Sequence, residues 1–184
     1  MFKKNLLCGT LALAVINPLS AGTIVPATQQ TVSQAVSDSA ITAQIKALYA
    51  HSPLVKALSI SVTTKEQKVH LRGNVSTDME YERAIALAES VKGVKAVHAD
   101  SLFVEKSHSP LSDTVITAKI KGSLLKENIF GNQDIEVLPV HVETKNAVVF
   151  LSGKVDHAKQ ITNIIKIADH VKGVKSVNSS LQLK

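Results

Sequence analysis

Val69-His70-Leu71-Arg72-Gly73-Asn74-Val75 and Val149-Phe150-Leu151-Ser152-Gly153-Lys154-Val155 are one pattern, Val-x-Leu-x-Gly-x-Val, written twice at a spacing of 80 residues. Apolar residues at every second position describe a strand with one buried face. A glycine inside such a strand marks a bulge or a place where another stretch of backbone comes close. Working outward, Val91-Lys92-Gly93-Val94-Lys95-x-Val97 returns as Val171-Lys172-Gly173-Val174-Lys175-x-Val177 at the same spacing of 80. On the upstream side Asp38-x-x-Ile41-Thr42-Ala43-x-Ile45-Lys46 returns from Asp113 as Asp113-x-x-Ile116-Thr117-Ala118-x-Ile120-Lys121, now at a spacing of 75. Three blocks in one order establish an internal repeat. The second copy is longer by five residues between its first helix and first strand, around Asn128 to Asp134.

Each copy reads as the same series of elements. Ser37 or Asp38 can cap a first helix with Ile41, Ile45 and Leu48 on one face, and Asp113 can do so for Ile116, Ile120 and Leu124. Leu58-x-Ile60-x-Val62 and Val69-x-Leu71 predict two strands joined by a tight hairpin at Lys65-Glu66-Gln67. In the second copy these strands run from Ile135 through Val142 and from Val148 to Leu151, with Pro139 predicting an edge or a bulge because it has no amide hydrogen. Thr77-x-x-Glu80 is a capping box for a second helix that buries Ala84, Leu87, Ala88 and Val91 and stops at Gly93. Its counterpart starts near Asp156, buries Ile161, Ile164, Ile165 and Ala168, and stops at Gly173. A last strand ends in Leu102-x-Val104 or Leu181-x-Leu183. The fold class is therefore α+β: two tandem α-β-β-α-β domains, each a three-stranded mixed sheet with two helices on one face. Units of about 70 residues are marginal alone, so the copies are expected to pack together or to use a sheet face or edge for partners.

The domains expected are 38–106 and 113–184, with 107–112 as linker and 22–37 as a flexible lead-in rich in Thr, Gln and Ser. Residues 1–21 have the order of a secretory signal: Lys3 and Lys4, an apolar run from Leu6 to Ile16, Asn17-Pro18, then Ser20-Ala21-Gly22. Cleavage after Ala21 is preferred, with an alternative after Ala27. Cys8, the single cysteine, lies early in that run and follows Leu7, which is the wrong place for lipidation. Loss of Lys3 and Lys4 lowers the formal charge from +6 to +4 and leaves no thiol, which suits an oxidising compartment. With no Trp and 3% aromatic residues the mild basic excess does not point to nucleic acid.

At Asp38 and Asp113, Gly73 and Gly153, and Gly93 and Gly173 the chain resembles the BON domain family, over nearly all of its length after the lead-in. The resemblance implies a periplasmic protein of osmotic or envelope-stress protection. It also implies attachment to phospholipid membranes, relatives that include chaperone-like envelope factors, and no enzymatic activity or cofactor. The insert in the second copy departs from a plain repeat.

Candidate residues follow. Gly73, Gly93, Gly153 and Gly173 read as structural, at backbone positions closed to other side chains. From Asp113 to Lys184 there are ten lysines and seven acids, against nine basic and eight acidic residues from Asp38 to Lys106, so the second copy is the candidate for an anionic surface. Its first helix predicts a lipid-binding set of Lys119, Lys121, Lys126 and an outward Leu125. At about 1 kcal/mol per lysine and about 1.5–3 kcal/mol for the leucine, this helix offers only weak binding. The partners expected are an anionic phospholipid surface or, in the rival reading, unfolded outer-membrane or secreted proteins held on the open sheet faces. His51, His70, His98, His108, His141, His157 and His170 include no i, i+4 pair, so no metal site is predicted. No catalytic order of Ser, His and Asp and no nucleotide loop appears.

Overall fold

The chain forms two three-stranded sheets, each carrying two helices, in the order expected. The computed structural model describes residues 37–107, 111–131 and 138–184. Residues 1–36, read above as signal and lead-in, residues 108–110 of the linker, and residues 132–137, which hold the end of the insert and the expected strand start at Ile135 and Val137, lie outside them.

In the first copy α1 (Asp38–His51) leads into β1 (Ile60–Lys65), β2 (Lys68–Thr77), α2 (Asp78–Ser90) and β3 (Ala96–Lys106). The second copy repeats this as α3 (Leu111–Lys126), β4 (Val140–Lys145), β5 (Val148–Val155), α4 (Ala158–His170) and β6 (Ser176–Leu183). β2 and β5 are central, antiparallel to β1 and β4 and parallel to β3 and β6. A parallel neighbour needs a crossover, and α2 and α4 supply it. β3 carries one residue more than the stretch of β2 it pairs with, at a bulge where His70 pairs His98 but Arg72 pairs Ser101. β4 is an edge strand that begins directly after Pro139.

Two local readings are corrected and one choice between alternatives is resolved. Leu58 is fully exposed in a 3₁₀ turn, Ala57–Ser59, and β1 begins at Ile60. The reason is Gly73, which pairs Ile60 at φ 133° and whose missing Cβ would strike the Ser59 carbonyl oxygen. Gly153 repeats this at φ 129° against Pro139. Secondly, Ser37 rather than Asp38 caps α1, its Oγ accepting from the Ala40 amide at 3.3 Å. Asp38 instead reaches the hairpin, accepting from the amides of Glu66 and Gln67 at 2.8 Å each. Asp113 binds Asn146 and Ala147 alike, at 2.8 and 2.9 Å. Glu66, Gln67, Asn146 and Ala147 all have positive φ, so each aspartate holds the hairpin turn in its costly left-handed form. Thirdly, Leu48 of α1 is 37% exposed, and Tyr49 fills the core in its place, its hydroxyl donating to the Ala84 carbonyl at 2.8 Å.

The two cores differ in completeness. In the first, Ile41, Ile45, Val69, Leu71, Ile85 and Val97 are 2% exposed or less. Leu111, Val115 and Ala118 of α3 pack onto this first core, although α3 belongs to the second copy. In the second, Ile120, Leu124, Val149, Leu151 and Ile164 are sealed, but Ile161, Ile165, Ile167, Val171, Val174, Val177 and Leu181 are only partly buried. α3 thus contributes to both cores, and all the described residues belong to one compact unit.

Candidate binding surfaces

α3 lies along α2, and its lysines are used there. Lys121 Nζ donates to Glu82 Oε1 at 2.6 Å, and Lys126 Nζ donates to Glu89 Oε1 at 2.8 Å and to the Val94 carbonyl at 3.1 Å. Gly122 lets the helices approach, since a Cβ there would come within 2.5 Å of the Ala86 carbonyl oxygen. Leu125, expected to face outward, is half-buried and turns toward Leu48 and Leu87 across a groove. Lys119 is half-buried. The four residues read from sequence therefore do not form one open basic face. The signal that was missed lies on the partner helix, where Glu82 and Glu89 stand seven residues apart, two turns of helix, ready for cations five residues apart on a crossing neighbour.

What α3 covers on the first copy is uncovered on the second. Tyr81, Ile85 and Leu102 are 4%, 0% and 2% exposed, whereas their counterparts Ile161, Ile165 and Leu181 are partly exposed and Leu183 is 52% exposed. Charge follows the same division. Asp78 to Lys106 holds six acids and four bases, but Ala158 to Lys184 holds five lysines and one acid. Lys159, Lys166, Lys172 and Lys175 are exposed around this flank. Lys184 is paired with Asp156 at 3.0 Å. The α4–β6 flank is thus an apolar strip with a basic margin, the arrangement of a surface that meets anions beside hydrocarbon.

The open sheet faces are mostly polar. Phe103 and Phe150 are 61% and 41% exposed there, and His70 stacks on His98 with ring centroids 4.9 Å apart. Among the described residues no group of three His, Cys, Asp or Glu could hold a metal, and no helix is long and apolar enough to cross a membrane.

Two grooves occupy equivalent places. One, of about 760 Å³, runs between α1, α2 and the end of α3. The other, of about 480 Å³, runs between α3 and α4.

The BON domain profile matches residues 37–103 and 112–184. The chain is 36% identical over 170 residues to the osmotically-inducible protein Y of Escherichia coli (strain K12), covering 90% of this chain and 82% of that protein. It is 29% identical over 150 residues to an uncharacterized protein in the gshII 5′ region of Anaplasma centrale, covering 81% of this chain and 96% of that one. Among solved structures, the C-terminal domain of CdsD, a structural protein of the Type III secretion system of Chlamydia trachomatis, aligns over 81% of this chain and 68% of its own at 18% identity, with a TM-score of 0.32.

Proposed function

Because the chain belongs to the BON domain family in both of its copies, we propose that it is a non-enzymatic protein of the bacterial envelope, periplasmic and serving protection against osmotic stress, which binds anionic phospholipid surfaces weakly. The observation that carries the lipid reading is the α4–β6 flank, where Ile161, Ile165, Leu181 and Leu183 are partly exposed inside a margin of lysines. Each lysine near an anionic bilayer contributes about 1 kcal/mol, and this contribution fades with added salt. Shallow entry of the strip into the headgroup region adds an apolar term that salt leaves intact.

The test is flotation of the chain from Gly22 onward with phosphatidylglycerol-containing and purely zwitterionic vesicles at low and moderate salt. Salt-sensitive flotation with the anionic vesicles alone is expected. Lys159→Glu with Lys166→Glu, both exposed, should reduce it at least tenfold while leaving the fold intact. Alanine at Lys119, Lys121 and Lys126 should instead loosen α3 from α2 without comparable loss of flotation; the reverse result would return the lipid contact to α3.

A second reading is favoured by Phe103 and Phe150, exposed on the two open sheet faces. It is retention of unfolded envelope proteins. Suppression of client aggregation in the absence of lipid, lost on Phe103→Ser with Phe150→Ser, would support it.

A further inference from the structure

The edges of the two sheets, β1, β3, β4 and β6, are not protected alike. β1 and β4 are short, six residues each; β1 ends in Lys65, and β4 follows Pro139 and carries Glu143 and Lys145, paired at 2.9 Å. β3 is interrupted by its bulge, where Asp100 stands, and its Val97, Ala99 and Leu102 are buried. β6 has none of these devices. Ser176–Leu183 pairs β5 in unbroken register and contains no charged residue, no proline and no glycine. Of its eight residues Val177 and Leu181 are partly buried and the rest are exposed. Short length, charges, prolines and bulges are the features that keep an edge from accepting another strand. β6 is the edge that lacks them.

The backbone agrees. The Lys184 amide donates to the Val155 carbonyl at 3.0 Å and so faces β5. Successive amides of a paired strand alternate in direction, which turns those of Leu183, Leu181 and Ser179 away from β5. The Leu181 amide meets the Oγ of Ser179 at 3.4 Å, a long contact made within its own strand. Beside this edge lies the partly exposed strip of Ile161, Ile165 and Leu181, and Lys166, Lys172 and Lys175 are exposed on the same flank.

We propose that β6 accepts an added strand from an extended polypeptide in which apolar and polar residues alternate between flanking acids. The main chain of that segment pairs with Ser179, Leu181 and Leu183, its apolar side chains extend the strip, and its acids meet the lysines. Main-chain bonds give such a contact its affinity and alternate side chains give it selectivity. A second copy of this chain is a poorer occupant, because pairing β6 with itself sets one basic margin against the other. The site goes beyond the lipid reading: it shares the apolar strip, and it depends on hydrogen bonds that the lipid reading does not use.

The experiment follows a labelled peptide, alternating valine and threonine between paired glutamates, by fluorescence polarisation with the chain from Gly22 onward. Saturable binding is expected. N-methylation of the valine and threonine amides should weaken it at least tenfold, and so should lysine in place of each glutamate. Bound peptide should slow hydrogen exchange at the amides of Ser179, Leu181 and Leu183 and leave that of Lys184 unchanged. Ser179→Pro, at an exposed position with an outward amide, should abolish peptide binding without moving the urea midpoint or vesicle flotation. Ser179→Ala should retain it. Equal binding of the N-methylated peptide, or unchanged exchange along β6, would overturn the proposal whether or not Ser179→Pro folds. Protection of the same amides that rises with protein concentration in the absence of peptide would assign the edge to a second copy and overturn it as well. Flotation and peptide binding are separate readouts, so either reading can fail alone.

Discussion

Asp113 is 8% exposed, and its two carboxylate oxygens accept from two amides of a turn with positive φ. Hydrogen bonds to a charged group are among the stronger ones, and removing the acceptor leaves both amides unsatisfied. Asp113→Ala should therefore cost about 2–3 kcal/mol. Asp113→Asn, keeping one acceptor oxygen, should cost less; urea denaturation of both variants checks the order. The spacing of the two aspartates was plain in the sequence, but their role was not, because a helix cap and a turn anchor ask for the same residue at nearly the same place. Gly73 and Gly153 were legible as backbone positions, since nothing else explains a glycine inside an alternating strand. The tyrosines give a second check. Burial raises Tyr49, and burial with the charge of Asp100 raises Tyr81, above the ordinary tyrosine range. The folded chain thus holds protons that the unfolded chain releases above about pH 10. The stability linked to them is complete below that pH and is lost progressively as pH rises beyond it toward the raised folded values. Absorbance of tyrosinate should appear together with loss of the helical circular dichroism, not before it.

At the scale of the element, α3 answers to two cores. Ile116, Ile120 and Leu124 turn toward its own sheet, while Leu111, Val115 and Ala118 turn toward the first copy, so the helix has two apolar stripes. A search for one buried face assigns the remaining residues to solvent, which is why Leu125 was read as outward and Lys121 and Lys126 as free. The helices, strands and their order followed from periodicity and turn chemistry; the packing of one copy on the other depended on pairing Glu82 and Glu89 with lysines far along the chain, and periodicity contains no such term. Lys126→Ala would leave Glu89, whose side chain is 10% exposed, without its cation. Breaking one side of a fully buried pair costs about 3–5 kcal/mol, and with Lys126 itself 20% exposed the loss should be nearer 2 kcal/mol. Glu89→Gln in the same chain should recover part of it, as a thermal melt of the single and double variants would show. Gly122→Val acts on the same contact by steric means and should separate the helices.

Across the whole molecule the repeat is symmetric in sequence and asymmetric in cover. One flank is closed by α3 and the equivalent flank, α4–β6, is only partly buried among the described residues, so a single design gives one sealed core and one exposed margin. The four residues that sequence placed on a lipid surface and the flank that the structure favours both lie in the second copy. Charge counting points to the second copy as a whole, and the side proposed here, the α4–β6 flank, follows from packing. Ending the chain after residue 110 should leave the first core without Leu111, Val115 and Ala118. That fragment should bind a hydrophobic dye and unfold at lower urea than the intact chain, as fluorescence and a denaturation series would show.

The sharing of α3 also sets a timetable. A polypeptide delivered from its N-terminus presents residues 38 to 106 first, with every strand and helix of the first copy in hand, and still lacks the piece that seals it. Completion waits until Lys126 has emerged, more than two-thirds of the way along the 184 residues. Until then the leading half remains loosely closed, and the second half, whose strands begin only at Val140, is completed after it.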